Sequence, residues 1–68
     1  SYLMSTAMSG REVIIEFHSF GQIVKVTAMD VASLTEISIQ GPASSPETIL
    51  RNNAVKRLEY VLKKKNII

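Results

Sequence analysis

Thr35-Glu36-Ile37-Ser38-Ile39-Gln40-Gly41-Pro42-Ala43-Ser44-Ser45-Pro46-Glu47 changes its periodicity midway, and that change decides the fold. The first half alternates: Ile37 and Ile39 fall to one side, Glu36, Ser38 and Gln40 to the other, as in a half-buried strand. Gly41-Pro42 ends it, because proline lacks the donor that a sheet ladder needs. Ser44-Ser45-Pro46-Glu47 then announces a helix. With Ser45 as N-cap, Pro46 takes the favoured first helical place. With Ser44 as N-cap, Glu47 completes a capping box. Beyond it, Leu50, Ala54, Leu58, Val61 and Leu62 share one stripe at about 100° per residue, with Val55 at its margin. The helix runs to about Lys65, and Asn66 is a candidate left-handed cap.

Toward the N-terminus, two more alternating runs precede this switch. Glu12 to His18 puts Val13, Ile15 and Phe17 on one face, and Ile23 to Met29 does the same with Val24, Val26 and Ala28. Ser19-Phe20-Gly21-Gln22 supplies the turn between them, and Asp30 to Leu34 a looser connection to the third run. Short links imply antiparallel neighbours in the order 1-2-3. The predicted fold class is therefore α+β: a three-stranded antiparallel meander with one C-terminal helix packed on one face. Residues 1–10 are small, polar and methionine-dotted, so they read as a flexible tail ahead of a single β-β-β-α domain over 11–68, with Met8 a plausible start.

Sixty-eight residues make one small domain, and no cysteine is available to staple it. Thiolate zinc sites and iron–sulfur clusters are excluded with the disulfides, and a single histidine builds no imidazole metal cage. Association is the staple that remains. No long apolar run marks a membrane span or a signal peptide, which points to a cytoplasmic protein. The net charge of +2 is unevenly spread. Through Ser45, Arg11 and Lys25 face Glu12, Glu16, Asp30 and Glu36. From Pro46 onward, Arg51, Lys56, Arg57, Lys63, Lys64 and Lys65 face only Glu47 and Glu59. The basic character belongs to the helix.

No catalytic pattern stands out. His18, Ser19 and Asp30 make a triad on paper only, without a nucleophile elbow or an evident cleft. Glu12 and Glu16 share a strand face about 13 Å apart, too far for paired-carboxylate chemistry. The three glycines form no phosphate-cradling motif. The expectation is a protein that is no enzyme, with no cofactor, metal or small-molecule ligand.

Two surfaces remain as candidates for interaction. On the helix side opposite the core stripe, Lys56, Tyr60 and Lys63 fall together, flanked by Arg57 and Lys64. Surface tyrosines rest their rings on lysine stems, and terminal lysines complement the helix dipole. The functional alternative is a surface that tracks nucleic-acid phosphates, with Tyr60 stacking on a base. The second candidate is self-association as a homodimer. The strand Glu12–His18 carries neither proline nor lysine to guard an edge. It also shows Ile14 on the outer face, where Ile23 and Met29 fall as well. Either two such edges pair or two outer faces pack.

The element order, with Gly41, Ser44, Ser45, Asn52, Asn53, Ala54 and Leu58 on its loop and helix, resembles the second half of a double-stranded-RNA-binding domain. The chain departs from that family at the helix start, where Pro46-Glu47-Thr48 replaces phosphate-clamping lysines, and it lacks the family's first helix. The stretches Met8–Phe17, Val24–Asp30, Ile39–Ala43 and Arg57–Leu62 resemble a bacterial family of short alphaproteobacterial proteins of unknown function. That resemblance implies no activity. The function expected is a small non-enzymatic interaction module that self-associates; the alternative is a weak nucleic-acid binder using the basic helix face.

Overall fold

Alternating side chains make strands only where a neighbour completes the ladder, and four strands do so here. The computed structural model describes residues 2–68. Strands β1 (Tyr2–Met8), β2 (Arg11–Phe20), β3 (Ile23–Asp30) and β4 (Thr35–Pro42) precede helix α1 (Glu47–Lys64). They form one antiparallel sheet in the order β1-β2-β3-β4. The α+β class, the antiparallel meander and the C-terminal helix agree with expectation; the strand count does not.

The additional strand is the segment expected to be a loose tail. Tyr2 to Met8 pairs with Phe17 to Arg11 along its whole length. Two residues, Ser9 and Gly10, close the hairpin, both at positive φ (52° and 74°), as a type I′ turn requires. That backbone twist matches the twist of the flanking strands. β1 turns Tyr2, Met4, Thr6 and Met8 inward, a row without β-branched aliphatics, so its alternation is faint in the sequence. The strand Glu12–His18 is consequently an inner strand; the outer edges of the sheet are β1 and β4.

Between β2 and β3 the turn is Gly21-Gln22, with Gly21 at φ 58°, so β2 extends through Phe20. The helix lies over the inner face. Its Leu50, Ala54, Leu58 and Leu62 are buried against Val13, Ile15, Phe17, Val26 and Ala28, with Met8 added from β1. Val24, Ile37, Ile39 and Val55 pack at the margin of this core. One close approach depends on a missing side chain: a Cβ on Gly41 would stand 2.5 Å from Leu50 Cδ2.

The helix ends divide the expectations. At the C-terminus Asn66 adopts φ 59°. Ile67 N–H donates to Leu62 O (2.9 Å) and Asn66 N–H to Lys63 O (3.0 Å), the paired bonds of a Schellman cap. At the N-terminus neither serine caps. Pro46 itself is the N-cap residue, at φ −58° and ψ 137°, and no side chain bonds the first turn. Ser45 is drawn back into the preceding turn, its N–H bonded to Pro42 O at 3.0 Å.

Candidate functional site

Antiparallel register places every side chain on the sheet, and the helix covers only one of its two faces. The open face reads in rows across β1 to β4. One row is Ser5, Ile14, Met29 and Glu36; the next is Leu3, Glu16, Thr27 and Ser38. Then come His18, Lys25 and Gln40, and finally Phe20, Ile23 and Pro42. Ile14 and Met29 are thus direct cross-strand partners, both half-buried. Ile23 lies at the other end of the face, beyond two rows that are polar from β2 to β4. It is 47% exposed and sits beside Phe20, which is 62% exposed. The sequence reading brought Ile14, Ile23 and Met29 together; the structure separates them into two apolar ends. Phe20, expected in the turn, is instead the last residue of β2, opposite Ile23, and the positive φ of Gly21 marks how tight the turn is.

The polar middle of this face has its own bonds. His18 Nε2 lies 2.9 Å from Glu16 Oε2, an ion pair when the imidazole is protonated. The triad drawn on paper comes apart. His18 opposes Lys25 on the open face, while Asp30 opposes Val13 on the covered face, about 16 Å away along the strand. Ser19 opposes Val24, on the covered side.

Asp30 is instead the buried polar centre of the domain. Arg11 forks onto it: Nε donates to Oδ1 and an Nη to Oδ2, each at 2.9 Å. The Ser33 N–H donates to Oδ2 at 3.0 Å, the Ser33 hydroxyl donates to the same oxygen, and Ser33 Oγ lies 2.9 Å from Thr35 Oγ1. No solvent touches the carboxylate, but it lies at a strand end in a thin two-layer domain, where the cost of burial stays below the hydrogen bonds opposing it. The Arg11 bonds first, then those of Ser33, hold its pKa well below the usual carboxylate range. The same bond raises the Arg11 pKa. A charge so fully bonded is a clasp, tying the start of β2 to the turn after β3.

On the helix, Lys56, Arg57, Tyr60, Lys63 and Lys64 are all exposed. Tyr60 is held by its own neighbours: Arg57 Cζ stands 5.3 Å and Lys64 Nζ 5.6 Å from the ring centroid. These are the i+3 and i+4 spacings of one helix face. The ring is 50% exposed, flanked by cations. At the other end of the helix, Tyr2, Phe17, Val24, Ser45, Glu47 and Leu50 help line a groove of about 120 Å³. Among the described residues, no three histidine, aspartate or glutamate side chains are placed to hold a metal ion. No described helix is long and apolar enough to cross a membrane.

A small α+β domain with a four-stranded meander, one covering helix and one open face is the class these features define. The chain belongs to the family described as a domain of unknown function, DUF6898, which matches residues 10–65. None of the curated proteins and none of the solved structures compared with it matches. The matched region begins at Gly10, so it contains β2 to β4 and the helix but not β1.

Proposed function

We propose that this domain is a small non-enzymatic interaction module, working in the cytoplasm, that self-associates through the open face of its sheet. One observation carries the reading: Phe20 and Ile23, two large apolar side chains, stand exposed side by side on the face the helix leaves bare. A second apolar pair, Ile14 and Met29, lies at the far end of that face. Lys25 and His18 lie toward the Phe20 end, Glu12 and Glu36 toward the other. Two copies related by a two-fold axis across the strands would set apolar end on apolar end and acid opposite base. Edge pairing of β2 loses its support, because β1 occupies that edge. Sedimentation velocity at rising concentration tests the reading. A monomer throughout the high micromolar range contradicts it.

The basic face of α1 supports a second reading, a weak nucleic-acid binder. Lys56, Arg57, Lys63 and Lys64 are solvent-facing and unpaired with acids among the described residues. Binding through them would be to phosphates and steeply salt-dependent. Titration of duplex RNA and single-stranded DNA at low salt separates the two readings.

A further inference from the structure

β1 is bound to the domain in an unusual balance. It pairs with β2 alone, and of its residues only Met8 is buried. Its remaining inward side chains, Tyr2, Met4 and Thr6, lie beside Phe17, Ile15 and Val13, with the Tyr2 ring stacked on Phe17 at 4.8 Å. The family region, residues 10–65, ends the sheet at β2. Glu12 O accepts a bond from Val31 N–H (3.1 Å), so the even-numbered residues of β2 bond toward β3. Val13, Ile15 and Phe17 therefore direct their N–H and C=O groups toward β1. The edge that β1 covers thus offers a ladder on its rim, an aromatic platform at one end and an apolar floor.

Its other side is acidic. Glu12 and Glu16 flank this rim on the open face, opposite Ala7 and Leu3. Glu12 takes only the Ser5 hydroxyl at 3.2 Å, and Glu16 only His18. Among the described residues no lysine or arginine pairs with either. β1 fits the floor and brings neither acid a lysine or arginine.

We infer that the β2 edge is a strand-accepting groove, filled in cis by β1, whose partner is an extended segment of another protein with apolar and basic residues alternating. Such a segment runs antiparallel to β2, stacks an aromatic side chain on Phe17 and sets lysine or arginine against Glu16 and Glu12. It competes with a strand tethered at about millimolar effective concentration, and the two ion pairs offset part of that handicap. This groove shares Glu12 with the open-face contact but runs along the sheet edge, which β1 fills in the parent protein, so sedimentation of the parent judges the open-face contact independently.

Hydrogen exchange of the parent is the first test. Amides of Met4 and Thr6 should exchange together with those of Val13, Ile15 and Phe17, ahead of Val26 and Ala28. If all exchange at one rate by global unfolding, β1 is no detachable strand and the inference falls. The second test uses the full chain with Met4→Pro, which removes a ladder donor from β1. It should keep its helical circular dichroism and bind a peptide copy of residues 2–8 at high micromolar to millimolar concentration. Lysine in the places of Leu3 and Ala7 should tighten binding by about two- to five-fold each at low salt, and glutamate there should weaken it. Loss of the helix signal, absence of binding, or affinity indifferent to the peptide's charge each overturns the proposal. Dimerisation of the Met4→Pro chain through its bared edges would also overturn it, making a second copy the occupant.

Discussion

Asp30 is the residue on which acid stability should turn. Its acidity in the folded chain is strengthened, so its carboxylate stabilises the fold fully above the unfolded value, near pH 4. That contribution is lost as the pH falls from there toward the lowered value. Asp30→Asn should therefore melt well below the parent at pH 7, and the gap should narrow as both are acidified toward pH 2. A gap that stays constant in thermal melts from pH 6 to pH 2 would show that the clasp does not titrate as its bonds require. Leu34 poses the opposite case. It holds φ 61° while 69% exposed, so no burial offsets a left-handed backbone that costs a non-glycine residue about 1–2 kcal/mol. Leu34→Gly removes that strain and adds about 0.5–1 kcal/mol of unfolded-state entropy. Urea denaturation should show the variant equal to the parent or up to about 1 kcal/mol more stable. Leu34→Val should be less stable than either.

At the scale of elements, the contact of α1 with the sheet is set by Gly41 and Leu50. Gly41→Ala places a methyl where Leu50 Cδ2 already sits, and overpacking of this kind costs about 1–3 kcal/mol. Leu50→Ala alone costs about 2–5 kcal/mol by leaving a cavity. In the double variant the new methyl meets no leucine, so the two losses should fall short of additive in a denaturation cycle. Strict additivity would mean the helix sits farther from β4. Leu58 is wholly buried at the centre of the stripe, and Leu58→Ala should cost about 2–5 kcal/mol, enough to unfold much of so small a domain at ambient temperature.

For the whole molecule, one helix on a four-stranded sheet leaves a face bare, and a cysteine-free domain of this size has few other means of adding stability. Ile14→Lys and Phe20→Lys strike the two apolar ends of that face without touching the core. Each should shift sedimentation toward the monomer at concentrations where the parent associates, with far-ultraviolet circular dichroism unchanged. If neither shifts the distribution, the open face is not the contact.

The sequence by itself determined β2, β3 and β4, the helix, the cap at Asn66 and the buried stripe of Leu50, Ala54, Leu58 and Leu62, though Val61, expected in that stripe, is half-buried outside the core. Each of these is written in a local period or in a residue whose backbone preference acts alone. Val13, Ile15 and Phe17 alternate because a half-buried strand requires it, whatever lies beside them. β1 had no such signature. Tyr2, Met4, Thr6 and Met8 make a strand because the Ser9-Gly10 turn folds them back onto β2, and pairing with a distant segment is not a local property. That dipeptide was the one available signal. The burial of Asp30 was equally hidden, since an aspartate before a loop reads as a turn former until Arg11, nineteen residues earlier, is brought onto it. The two apolar ends of the open face were likewise decided by register, which assigns neighbours across strands that sequence order keeps apart.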